Sequence, residues 1–479
     1  MRARARATAL TLALGGVPLA AVPAAVAAPA QAAPPPGTIV VERGGPARTL
    51  AFTAARDGEA VIGFTSAAPG VSWARQGAEA AVVAVAVDGR HVTDLVVPGA
   101  DPVPRSLGLG RVAKGTHKVT LRFAKGSAPA ARRVALGRPS VRMPDQAALR
   151  HSPIVVGRTG WPFGDPYQNA RTDTPLLAWH ESRPAATPGH RVLEYSMVFS
   201  NEDGGTDTPA LMARWGRTTD IEWVYRVEVD AEGRRVAGTG VYQGPQHLTL
   251  KFTGRYEGDH PVLQTCTSNN NMCDVISPNP PLRFLPDASG TRPADRARET
   301  VMEPWTYRVM AQELRREGRL ETPSDPATRE VGDPRAYLFA ELAKTTGTPR
   351  NWGTAPGVSL QVRLEGDDRV YRSDHGERSW SIDRDGPAST TVELPPGTTA
   401  DDIASIEAVR TPMGLIDNGA PAVVTALRRG FFLDRAYLPR PPAFRWTGSI
   451  TLTPASPAAV LWKKGSRTIG NQRTPGASK

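Results

Sequence analysis

The sequence predicts a mainly β protein built as two antiparallel β-sandwich-like domains, the second carrying one or two helices. Two observations carry this. Short runs with period-two alternation or β-rich composition recur along the chain, and 46 glycines and 45 prolines among 479 residues punctuate the gaps between them.

In the first expected domain, residues 37–143, the runs are "TLAFTA", "EAVIGFTS", "AAVVAVAVDG" and "HKVTLRFA", with Gly, Pro and Asp turns between them. No long helical period interrupts the pattern, which is that of an antiparallel sandwich. A polar connector near Pro144 to Pro153 leads to a second, larger domain, taken as 150–462. Its strand candidates are "LEYSMVFS", "IEWVYRVEV", "HLTLKFTG", "VSLQVRL", "STTVEL" and "SITLT". One helix is expected after Glu303: Pro304 takes the first helical position, Trp305, Val309, Met310 and Leu314 form an apolar stripe, and Gly318 stops it. After Asp333-Pro334, "RAYLFAELAK" reads equally as a second helix or a buried strand.

The N-terminus reads as a secretory leader over residues 1–32. Arg2, Arg4 and Arg6 precede an apolar, small-residue run to Ala28 and an Ala30-Gln31-Ala32 processing site. Gly15, Gly16, Pro18 and Pro23 interrupt the run, and no later segment offers the ~20 apolar residues of a spanning helix, so no integral membrane segment is expected after processing. The expected location is extracellular or cell-wall-associated. Removing three arginines from a formal charge of +11 leaves a mature chain of about +8. Those positive residues are scattered among acids without a stripe of interleaved aromatics, which disfavours nucleic acid, while acidic polysaccharide or anionic wall polymer would use the same charge. The basic run Lys463 to Lys479 reads as a disordered tail.

Chemistry concentrates in "NEDGGTDTPALMARWGRTTDIEWVYRVEVD", Asn201 to Asp230. With Ile221 to Val229 extended, Ile221, Trp223, Tyr225, Val227 and Val229 share a core face, and Asp220, Glu222, Val224, Arg226 and Glu228 share a polar one. Asp220 and Glu222 then stand about 7 Å apart at the ~3.3 Å rise of a strand, as a metal-binding or acid/base pair or as members of ordinary cross-strand salt bridges. Asn201, Asp203 and Asp207 flank a Gly204-Gly205 bend that can wrap calcium or serve as a plain turn. His180 and His247 are the further catalytic candidates, although neither an i, i+4 histidine pair nor a G-x-S-x-G elbow accompanies them. Cys266 and Cys273, the only cysteines, predict one local disulfide in an exported chain, with a metal site as the alternative that lacks further ligands.

The stretch Val87 to Phe123, ending in "GTHKVTLRF", resembles the jelly-roll accessory modules of secreted carbohydrate-active enzymes, but Trp73 is its domain's only tryptophan. The order "DIEWVYRVEVD", "YQGPQHLTLKF", "HPVLQTCTSNNNMCD" is similar to an arrangement in Vps62-related proteins, with Asp220, Glu222, Trp223, His247 and His260 as the positions that carry over. The tryptophan here follows both acids, and a cysteine loop replaces the family's His/Ala-rich end. The second domain also resembles a group of secreted actinobacterial proteins of undefined function. The expectation is an exported protein acting at extracellular polymers, binding polysaccharide or cell wall. The alternative is a glycan-cleaving hydrolase or lyase using Asp220 and Glu222.

Overall fold

A computed structural model describes residues 37–159, 165–202, 207–325 and 327–465. The expected leader lies outside the described residues, as do Asp203 and most of the basic tail. Residues from Gly37 onward form one compact unit.

The first strands make two four-stranded sheets. One runs Ile39–Glu42, Arg133–Arg142, Gly58–Ala67, Val103–Val112, and the other Arg48–Ala54, Gly115–Phe123, Ala81–Val87, Arg90–Val97. This alternation of early and late strands between facing sheets is a jelly roll. The alternating residues of the sequence supply its core: Ile62 and Phe64 from one sheet meet Val83, Val85, Val119 and Leu121 from the other. Their burial removes apolar surface from water, the dominant favourable term in folding.

The middle of the chain forms a five-stranded sheet ordered Pro175–Pro184, Arg191–Phe199, Asp220–Val229, Val241–Gln243, Thr249–Lys251. A smaller sheet lies beside it, in which His260–Thr265 pairs with Ile154–Val156 in parallel. The last third is again two four-stranded sheets: Gly386–Glu393, Tyr337–Thr346, Ala422–Phe431, Phe444–Leu452, and Val370–Arg372, Gly357–Leu364, Ile403–Thr411, Ala458–Lys463. Leu338, Leu342, Val358, Leu360, Ile406, Val424 and Phe444 fill the space between them.

The expected helix spans Pro304–Arg316, with Glu303 at its N-cap position and Gly318 at φ +70° just beyond its end. "RAYLFAELAK" is resolved as strand Tyr337–Thr346, buried over its first eight residues. A run enclosed on both sides of a sheet loses the alternation that separates strand from helix. A second helix, Thr208–Trp215, follows the expected Gly204-Gly205 bend, over residues to which the sequence assigned no element. Asp207 precedes it in extended conformation, Pro209 sits in its first turn, and Gly216 ends it in the left-handed region at φ +65°. A side chain at Gly216 would meet the backbone of Thr390 at 3.1 Å, so both the turn and the neighbouring sheet require glycine there.

Candidate functional site

The strand Asp220–Val229 contains a β-bulge that redirects its side chains. Tyr225 pairs with Tyr195 and Trp223 with Ser196, leaving Val224 as the extra residue. C-terminal to the bulge the expected alternation holds, with Tyr225, Val227 and Val229 inside. N-terminal to it the faces exchange. Glu222 opposes Met197 and Asp220 opposes Phe199, both core residues of the same cluster as Tyr225. Ile221 instead packs with Val198, Met212 and Met310 on the other side.

This corrects the expected polar ladder. Asp220 and Glu222 are buried, at 1% and 7% exposure, whereas Trp223 is only half-buried and lies under the Arg226 guanidinium, 4.4 Å from its ring centre. Arg226 makes the ordinary cross-strand pair with its register partner Glu194. Of the upstream arginines, Arg214 pairs with Asp383, and Arg217 lies 3.8 Å from Glu299.

Around the two acids the fold gathers a polar cluster. Asn270, fully buried at φ +49°, donates its amide to Asp220 Oδ2 at 3.0 Å and to the Asn201 carbonyl at 3.1 Å. Gln243, at the end of the neighbouring strand, donates to Glu222. The same amide nitrogen lies 2.6 Å from His247 Nδ1, which stands 3.5 Å from Glu222 Oε1. The His247 ring is 55% exposed, and its Nε2 lies 3.0 Å from the Asn269 amide. Arg298 donates to the Ile221 carbonyl at 2.9 Å. Glu202, buried beside Asp220, completes a set of three carboxyl groups.

Such packing favours the protonated acids. Burial raises Glu202 to about 9, helped by the charge of Asp220, and burial with the same charge raises Glu222 to about 8. Burial also raises Asp220, opposed by Arg217 and by the Asn270 amide. The cluster thus sets three buried carboxyl groups, shifted toward their protonated forms, beside a solvent-facing imidazole that Gln243 links to Glu222. A carboxylic acid held neutral near pH 7 beside a histidine is the arrangement general acid–base chemistry uses.

His180 does not join it: its Nδ1 pairs with the Ala288 carbonyl at 2.8 Å, and its ring faces Tyr195. His260 is buried between the Ser152 carbonyl and Glu59, tying the middle sheet to the jelly roll. Asn201 donates to Glu317 and Asp207 pairs with Arg329. Among the described residues no three His, Cys, Asp or Glu side chains are grouped to hold a metal. Cys266 and Cys273 form the disulfide, with Cα atoms 5.9 Å apart, and close a ring around Asn269, Asn270 and Asn271. Trp73, the jelly roll's tryptophan, is fully buried and donates to Glu313 at 2.8 Å.

Glu202, Gln243 and Asn270 were not anticipated. Only the Asn269-Asn270-Asn271 run, lying between the two cysteines expected to pair, offered a signal.

No family model matches the chain, and no curated protein matches it. Parts of it are similar to solved structures. The CBM36-1 domain of a multidomain xylanase from the hindgut metagenome of Trinervitermes trinervoides aligns at 10% identity over 21% of this chain and 76% of that one, TM-score 0.15. The EclA C-terminal domain, a sugar-binding protein, aligns at 18% identity over 25% and 86%, TM-score 0.17. A Podospora anserina GH26-CBM35 β-(1,4)-mannanase aligns at 16% identity over 24% and 27%, TM-score 0.15. Likeness at this level carries no functional argument.

Proposed function

We propose that the protein is exported and binds extracellular polysaccharide, presenting Trp352 as its stacking platform. The observation that carries this reading is an exposed indole on a pinned loop. Trp352 is 77% exposed, at the end of the C-terminal sandwich where Tyr337–Thr346 leads into Gly357–Leu364. Its loop is fastened to the one that follows Ile403–Thr411: Arg350 N–H to the Asn418 carbonyl at 2.8 Å, Thr354 N–H to the Ile416 carbonyl at 2.8 Å, and Asn418 N–H to the Thr354 carbonyl at 3.1 Å. The second loop is held in turn by the bidentate pair of Arg410 and Asp417. Leu415 and Ile416, both exposed, continue the apolar surface. A flat ring carried on a backbone already pinned loses less conformational entropy when a sugar face stacks on it than one on a free loop.

Trp352→Ala tests the reading on a panel of insoluble polysaccharides and isolated cell walls. Retention of the wild-type protein should fall at least tenfold, about 1.4 kcal/mol, with an unchanged melt, since exposed substitutions shift stability by about 0.5 kcal/mol or less. Equal retention of the variant overturns it.

The buried acids favour a second reading, a glycan-cleaving hydrolase or lyase in which Glu222 supplies the proton and His247 meets the substrate. Reducing-end or unsaturated-product assays on the same panel, comparing wild type with His247→Ala, test it. Turnover lost in the variant supports catalysis; turnover equal in both removes His247 from it.

A further inference from the structure

Two sheet edges face each other across a cavity of about 560 Å³. One is Val103–Val112 of the jelly roll, the other Pro175–Pro184 of the middle sheet, each the last strand of its sheet. The segment from Pro286 to Pro293 straps them together. Its Asp287 N–H reaches the Ser106 carbonyl at 3.4 Å, and its Gly290 carbonyl accepts from His180 N–H at 3.0 Å. A volume of this size holds a small organic ligand, within the ~300–1,000 Å³ usual for such sites.

Arg105 lines this cavity and is 7% exposed. Its guanidinium donates to two carbonyls, Val96 at 2.9 Å and Leu176 at 3.4 Å, and lies 4.7 Å from the Trp305 ring centre. Among the described residues no carboxylate pairs with it. Burial of a cation without a counter-charge pulls it down to about 10. A buried charge is ordinarily paired, and a guanidinium offers five N–H donors in a fork that matches a carboxylate. Two acids line the cavity: Asp287 is already engaged by Arg142, by the Ser106 hydroxyl at 2.7 Å and by Ser289 N–H at 2.9 Å, and Glu303 is exposed at the N-cap of the helix. The uncharged lining mixes apolar surface, from Leu177, Trp179 and Met302, with the hydroxyls of Ser289 and Thr291.

We propose that this cavity takes a carboxylate-bearing, hydroxylated ring, a hexuronate unit, with its carboxylate on Arg105. The sugar character of the ring rests on the polysaccharide reading above, and the experiment separates the two.

Calorimetric titration of the full mature chain with glucuronate, glucose, sulfate and phosphate tests it. Glucuronate should bind and neutral glucose should bind at least tenfold more weakly. Arg105→Met should lose glucuronate binding. Because that variant also frees two carbonyls, Gly290→Phe provides a second route: a β-carbon at Gly290 meets nothing within 4 Å, so the ring enters open space with Arg105 left in place. It should melt as the wild type does and lose binding at least tenfold. Trp352→Ala should keep glucuronate binding whether or not it keeps polymer retention, which distinguishes failure of one reading from failure of the other. Glucuronate binding that survives both cavity variants overturns the assignment, as does sulfate or phosphate binding as tightly as glucuronate, or an absence of glucuronate binding to the wild type.

Discussion

Asn270 donates its side-chain amide to Asp220 across fifty residues of sequence, at 3.0 Å, from inside the ring that Cys266 and Cys273 close. The disulfide thus holds the donor that most directly steadies the buried aspartate. By the loop-closure estimate a ring this small stabilises by about 2 kcal/mol. Cys266→Ser with Cys273→Ser should lower stability by about that amount, and should also raise the Asp220 pKa further, because a hydrogen bond favouring its ionised form is loosened. Carboxyl NMR titration with a thermal melt checks both. An unchanged Asp220 titration in the double variant would separate the ring from the cluster.

Stability should fall as pH rises. Glu202 and Glu222 titrate near 4.5 when unfolded, and their folded values are raised to about 9 and about 8. Between those limits the native state binds more protons than the unfolded chain, so the protonated-acid contribution is complete below about pH 4.5 and is lost through pH 8 to 9. Glu222→Gln removes one of the groups and should flatten the slope, leaving the variant relatively more stable at pH 8.5 than at pH 5. Denaturant melts across that range decide it, and parallel slopes would refute the shift.

Trp73→Phe should cost about 1.5–3 kcal/mol, the range for a hydrogen bond to a charged group. It removes a buried N–H donor from Glu313 while keeping most of the ring. Glu313 retains Thr172 and Arg316, so the fold should survive. Urea unfolding measures the loss; a change below about 0.5 kcal/mol would mean that the bond contributes little.

Deleting Val224 should be far more damaging than replacing it. Without the bulge the strand would return to uniform alternation, turning Asp220 and Glu222 outward and forcing Trp223 into the core. Val224→Ala keeps the register and should cost roughly 1–3 kcal/mol, the range of typical destabilising substitutions. Proteolysis resistance and the dispersion of amide NMR signals distinguish the two, and a deletion variant as resistant as Val224→Ala would show that register there is not fixed.

The same bulge marks where the sequence stops being legible. "IEWVYRVEV" announces a strand, and from Tyr225 onward its alternation is obeyed. One inserted residue reverses every side chain before it, and nothing local signals the insertion, because it answers to the partner strand Arg191–Phe199. The disulfide and the Pro304–Arg316 helix were legible because caps, stripe and cysteine count are local properties. Thr208–Trp215 was hidden by its turn-like approach, although the Pro209 and Gly216 signals bracket it. Gln243 and Asn270 reach Glu222 and Asp220 only through tertiary folding, and amides without a shared spacing leave no motif.

The helix Pro304–Arg316 touches every part of the fold. Glu313 takes the jelly roll's Trp73, Met310 packs beside Ile221 of the middle sheet, and Arg315 donates to Tyr437 of the last third at 2.8 Å. Such an element works as an axle. Accessory modules strung on flexible linkers can be cut out and grafted elsewhere, but a piece severed here would carry away a raw apolar wound on the face it had turned to the helix. Heating the intact chain should accordingly give one melting event shared by all its sheets, and evolution would find this protein easier to keep whole than to trade in parts.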